Sequence, residues 1–84
     1  MVEPKGEGWK VMGAVRIGES WYLLWGRVKD GYLWYWVNEK IKMKLSYPYD
    51  EKDWEYYWMV GLNEFTKFVA EVVGDEKRIS VSDY

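Results

Sequence analysis

The sequence predicts a single α+β domain: an antiparallel sheet of four to five strands, arranged as a meander or a small barrel and packed on one C-terminal helix. Three observations lead there. Apolar and polar residues alternate through most of residues 9–60, the period of half-buried strands. From residue 63 the apolar spacing changes to that of a helix. Short groups of turn-forming residues separate the alternating runs, and no linker or repeat divides the 84 residues. The expected layout is a flexible N-terminus over 1–8, strands within 9–60, a helix over 63–73, and a tail over 75–84 that either stays disordered or adds an edge strand.

The elements follow in order. WKVMGAVRI sets Trp9, Val11, Val15 and Ile17 against Lys10 and Arg16, a first strand closed by the tight turn GES. WYLLWGRV is a second strand, and the KDG after it carries Asp30 and Gly31, a pair that readily takes positive φ in a hairpin. YLWYWV is the third strand and NEK a short connection. In IKMKLSY, Ile41, Met43 and Leu45 must face inward if Lys42 and Lys44 face water. Pro48 opens the polar loop PYDEKD, after which WEYYWMV is expected to return as a fifth strand. NEFTKFVAEVVG then places Phe65, Phe68, Val69, Val72 and Val73 on one stripe, with Asn63 as N-cap and Gly74 as the stop. That stripe requires a partner, so the helix covers one face of the sheet, against Ile41, Met43 and Leu45. In the tail, RISV is the segment suited to an edge strand.

Composition narrows the chemistry. Absence of Cys and His removes disulfides, thiolate metal sites, the commonest metal ligand and the commonest general base. No metal and no cofactor is expected, and with neither a Gly-rich phosphate loop nor an activated nucleophile the chain reads as a non-enzyme. Asp50, Glu51, Asp53 and Glu55 cluster in YDEKDWE without the spacing of a calcium loop and read as a solvated turn. Gly13 and Gly18 do not have the spacing of a dinucleotide fingerprint. Glu and Lys are abundant, Gln is absent and Asn occurs only at Asn38 and Asn63, a bias that heat selects, so a thermophilic source is expected. The opening MVEPKGEGWK lacks the apolar core of a secretion signal, and no run approaches the roughly 20 apolar residues of a membrane span; a cytoplasmic setting without membrane contact is the expectation.

The aromatic content carries the functional signal. Seven Trp and eight Tyr stand against two Phe, and rings that keep one polar edge suit surfaces and interfaces. Placing the charged residues outward puts Arg16, Trp21, Trp25, Arg27, Lys42 and Lys44 on the sheet face away from the helix. Strand three allows two assignments. Either Tyr32, Trp34 and Trp36 join that face while Leu33, Tyr35 and Val37 enter the core, or the reverse; the smaller aliphatics fit better beneath a helix. Under the first assignment Trp21, Trp25, Trp34 and Trp36 interleave with Arg16, Arg27, Lys42 and Lys44, the combination that stacks bases and neutralises phosphates of single-stranded DNA or RNA without reading sequence. The same alternation serves equally as core or as a dimer interface. Net charge is −2, but residues 1–45 hold eight basic and five acidic residues while residues 46–84 hold four basic and nine acidic, so the strands are basic and the rest acidic.

The order of strands followed by a helix resembles the ββββα modules of PUR repeats, whirly proteins and related transcription coactivators, and the segment EYYWMVGLNEFTKFVAEVV in particular is similar to their last strand and helix. The resemblance covers residues 9–74 and rests on order of elements; it implies a curved sheet that holds single strands, and pairing into a homodimer. A small SH3-like barrel with a terminal helix, as in archaeal chromatin proteins, resembles the order as well, although those proteins are strongly basic. The alternative from another class is a small protein-interaction module, an inhibitor or accessory subunit whose aromatic face docks on a partner or on itself. Carbohydrate stacking on exposed Trp ranks third.

Overall fold

The computed structural model describes residues 2–74 and 79–83. Five strands, β1 (Lys10–Ile17), β2 (Ser20–Lys29), β3 (Tyr32–Asn38), β4 (Ile41–Lys44) and β5 (Ile79–Asp83), form one antiparallel sheet in the order β4-β3-β2-β1-β5. The helix α1 (Trp54–Val73) lies between β4 and β5 in sequence and is entered through a short 3-10 turn, Glu51–Asp53. The sheet is not closed into a barrel, so the meander alternative holds for β1 to β4, and β5 adds an edge beside β1.

Local chemistry explains the turns. Asp30 and Gly31 take φ of 54° and 80°, the left-handed pair that matches hairpin twist between β2 and β3. Between β3 and β4 the Asn38 carboxamide oxygen accepts from the backbone N–H of Lys40 (2.8 Å) and Ile41 (2.9 Å), closing the connection. Gly74, with φ 82°, ends α1 and donates its N–H to the Ala70 carbonyl at 2.7 Å.

The main correction concerns residues 54–62. WEYYWMV is not a fifth strand; it forms the first two turns of a 20-residue helix. Trp58, Leu62, Phe65 and Val69 follow one another at helical spacing and pack on the core, so the stripe starts well before Asn63. Asn63 is therefore an exposed mid-helix residue rather than a cap, and Asp53 occupies the N-cap position without a side-chain cap hydrogen bond. Asp50 instead caps the 3-10 turn, its carboxylate accepting from Lys52 N–H at 3.0 Å. Val72 turns outward at 48% exposure, while Val73 takes the inward position in that turn. The edge strand expected near RISV is β5; residues 75–78, which include Arg78, lie outside the described residues.

The core sits between α1 and one sheet face. Val15, Leu24, Leu33, Tyr35, Val37, Ile41 and Leu45 from the strand region meet Phe65 and Val69 from the helix, with Met43 partly buried beside them. Tyr35 is its centre: fully buried, it stacks on Phe65 (centroids 5.3 Å), packs at a tilt against Trp58 (5.0 Å) and donates its hydroxyl to the Trp58 carbonyl at 3.1 Å. Burial pushes the Tyr35 phenol far above its usual range. The close approach needs Gly61, since a Cβ there would lie 2.5 Å from the Tyr35 hydroxyl. Lys42 and Lys44 are exposed, as the alternation in β4 requires.

Candidate functional site

Strand register resolves the outer face. Leu33, Tyr35 and Val37 enter the core, which leaves Tyr32, Trp34 and Trp36 on the side away from α1. Cross-strand pairing then builds two rows. Arg27 of β2 lies opposite Trp34 of β3, which lies opposite Lys44 of β4. In the neighbouring row Val11, Trp25, Trp36 and Lys42 follow one another across four strands. Val11 reaches this row because a bulge at Met12 shifts the register of β1.

In the first row the cations lie on rings. The Arg27 guanidinium carbon is 4.3 Å from the Trp9 ring centroid and 5.9 Å from that of Trp34. The Lys44 ammonium is 4.4 Å from the Tyr32 ring and 5.8 Å from Trp34. Trp34 thus has a cation on each flank, and its indole N–H donates to the Lys29 carbonyl at 3.1 Å, which fixes the ring. No carboxylate of the described residues pairs with Arg27 or Lys44. Ring quadrupoles hold these cations without consuming their hydrogen-bond donors.

The second row is more enclosed. Trp36 is 3% exposed, so in this conformation it supports the face instead of presenting a stacking surface. Lys42 pairs with Glu39 at 2.9 Å, an exposed contact that holds the Glu39 carboxyl below its usual range, with a hydrogen bond from Trp36 adding to the shift. Trp25 is half-buried and its indole N–H has no acceptor in the described chain. Arg16 and Trp21 pair across β1 and β2 at the far end, about 13 Å along β2 from Trp25 at strand rise. Trp21 is among the most exposed rings, and Arg16 donates to the Gly18 carbonyl at 2.6 Å. All eight expected site residues therefore share one face, but Arg16 and Trp21 stand apart from the other six.

Two participants are additional. Tyr32 carries Lys44, and its place in the alternation of YLWYWV marks it. Trp9 precedes β1 and lies over Arg27; nothing in the local sequence pairs it with a residue 18 positions away. The segment before Trp9 crosses the same face: Pro4, Lys5 and Trp9 join Arg27, Trp34, Trp36, Lys42 and Lys44 around a groove of about 530 Å³. Arg27 donates to the Glu7 carbonyl at 3.0 Å.

A second groove, of about 610 Å³, runs on the helix side between the start of α1 and the ends of β1 and β2, with Trp54, Met59, Val28 and Met12 among its walls. Among the described residues no group of Asp, Glu, His or Cys is placed to hold a metal ion, and no described helix is long and apolar enough to cross a membrane. Asp50, Glu51, Asp53 and Glu55 are exposed around the entry to α1, where negative charge suits the positive end of the helix dipole. No family model, curated protein or solved structure matches the chain.

Proposed function

We propose that the outer face of the sheet binds single-stranded nucleic acid, DNA or RNA, with little sequence preference. The observation that carries this reading is the row Arg27–Trp34–Lys44, in register on three adjacent strands and flanked by Trp9 and Tyr32. Half-open rings offer stacking surface worth about 1–3 kcal/mol per base, and cations held on rings keep N–H donors for phosphate oxygens. The balance of charge differs by layer in support: Arg27, Lys29, Lys42 and Lys44 with Glu39 accompany the outer face, whereas Glu55, Glu64 and Glu71 with Lys67 accompany α1. Lys42 contributes by exchanging Glu39 for phosphate, Trp25 and Trp36 form the floor, and Arg16 with Trp21 extends the track. The order of four strands and then a helix, which resembles single-strand-binding ββββα modules, supports the same reading, although EYYWMV belongs to the helix and not to a last strand. A cytoplasmic setting, a homodimer and a thermophilic source belong to the proposal.

The test is titration of oligo-dT and of a duplex at two salt concentrations, followed by Trp fluorescence. Single strands should quench Trp and bind in preference to duplex, and binding should weaken with salt. Trp34→Ala should lose about 1–3 kcal/mol of affinity, and Lys42→Ala should reduce the salt slope. No quenching at low salt would reject the reading. It would also promote a protein-interaction module, a second reading favoured by the helix-side groove and its exposed Trp54, Met59 and Val28.

A further inference from the structure

We infer that the N-terminal segment Val2–Gly8 is a displaceable mimic of the ligand, and that Arg27 is a phosphate subsite whose acceptor position is held by the chain's own Glu7 carbonyl. The inference rests on the nucleic-acid reading of the outer face and deepens it.

Position comes first. Arg27 lies in the cross-strand row with Trp34 and Lys44, and its guanidinium donates to the Glu7 carbonyl at 3.0 Å. A phosphodiester oxygen on the same donor would occupy the place of that carbonyl. The segment is acidic on balance, with Glu3 and Glu7 against Lys5, and Lys5 is its charged member that lines the groove.

Attachment is weak. None of residues 2–8 is buried, and Val2, the large aliphatic of the segment, is 67% exposed. No backbone–backbone hydrogen bond joins residues 2–8 to the rest of the described chain. Trp9 ties the segment to itself, donating its indole N–H to the Lys5 carbonyl at 3.1 Å. Such a segment lies at the low-stability end of a fold, where opening costs little.

The covered face is incompletely satisfied. Arg27 Nε and Trp25 Nε1, two residues apart on one side of β2, are shielded from solvent, and no acceptor in the described chain takes them. Buried donors without acceptors disfavour the closed arrangement, and phosphate oxygens can satisfy them. Displacement would also widen the groove that Trp36 lines together with Pro4 and Lys5.

The segment can be loosened in the full chain without substituting any residue of the face. Gly6 has φ of 107°, a conformation L side chains rarely adopt, and a Cβ there would lie 2.8 Å from Arg27 Nη1. Gly8 has φ of 85° with open space around it. Gly6→Ala and the double variant Gly6→Ala/Gly8→Ala should therefore free the segment while leaving the core intact, with thermal melts as the control.

Oligo-dT titration at low salt should show about tenfold tighter binding for the variants, as when the competent state is about a tenth of the unliganded population. Acrylamide quenching of Trp without ligand should rise in parallel. Equal affinity for wild type and both variants overturns the mimic and leaves the nucleic-acid face standing. Weaker binding by the variants also overturns it, since the segment would then be part of the site. Binding by none of the proteins overturns both readings together.

Discussion

The two faces of β3 show what aromatic residues do when different layers cover them. On the helix side Tyr35 packs ring on ring with Trp58 and Phe65, and its hydroxyl is satisfied by a helix carbonyl. On the outer side, one residue away, Trp34 packs against cations, and its indole N–H is satisfied by the Lys29 carbonyl within the hairpin. The first arrangement is dry and tied to a long helix. The second is half-open and crossed by a short segment without a buried side chain. Stability therefore resides on one side of the strand, and adaptable surface on the other.

Mutations can break this contrast, beginning with the largest effect. Phe65→Ala opens a cavity under Tyr35 and should cost about 3–5 kcal/mol, enough to unfold so small a domain at ambient temperature; denaturant titration measures it. A loss below about 0.5 kcal/mol would mean that the helix side is not the stable one.

An intermediate effect comes from alkali. The buried Tyr35 phenol keeps its proton in the folded state at pH values where the unfolded chain releases it. A raised folded value gives stability that is complete below the unfolded value, about pH 10, and is lost as pH rises beyond it. Denaturation midpoints between about pH 9 and about pH 11 should fall with pH, and Tyr35→Phe should flatten that fall. Part of the slope should persist in the variant, because burial also raises Tyr47 and Tyr49. An unchanged slope would remove Tyr35 from this account.

The smallest effect sharpens the other side. Lys44→Ala removes a cation from Tyr32 and Trp34 and should cost no more than about 0.5–1 kcal/mol of stability, while weakening oligo-dT binding. A larger loss of stability would show that the outer face also holds the fold together.

How much of this was legible in the sequence depends on how local each signal is. The Lys42 and Lys44 alternation, the Asp30–Gly31 hairpin and the Gly74 stop each rest on a few adjacent residues, and the fold uses all of them. Residues 54–60 misled because WEYYWMV is rich in strand-favouring rings, whereas the helical spacing from Trp58 through Leu62, Phe65 and Val69 shows only in a window that crosses Asn63. The side taken by Trp34 followed from size, as aliphatics pack beneath a helix. Burial of Trp36 did not follow, because the groove it lines is shared with Pro4 and Lys5, some 30 positions earlier in the chain. Trp9 over Arg27 is hidden for the same reason.

The four-residue edge strand β4 has a consequence for the protein at high concentration. A sheet edge is a template on which another chain can grow, and long flat edges of aromatic-rich sheets invite fibres. Here the exposed edge is short and bears Lys42 and Lys44 on alternate positions, so a second copy docking there would bring like charges together. At this edge Lys42 and Lys44 would thus act as gatekeepers, disfavouring backbone pairing of β4 with a second copy.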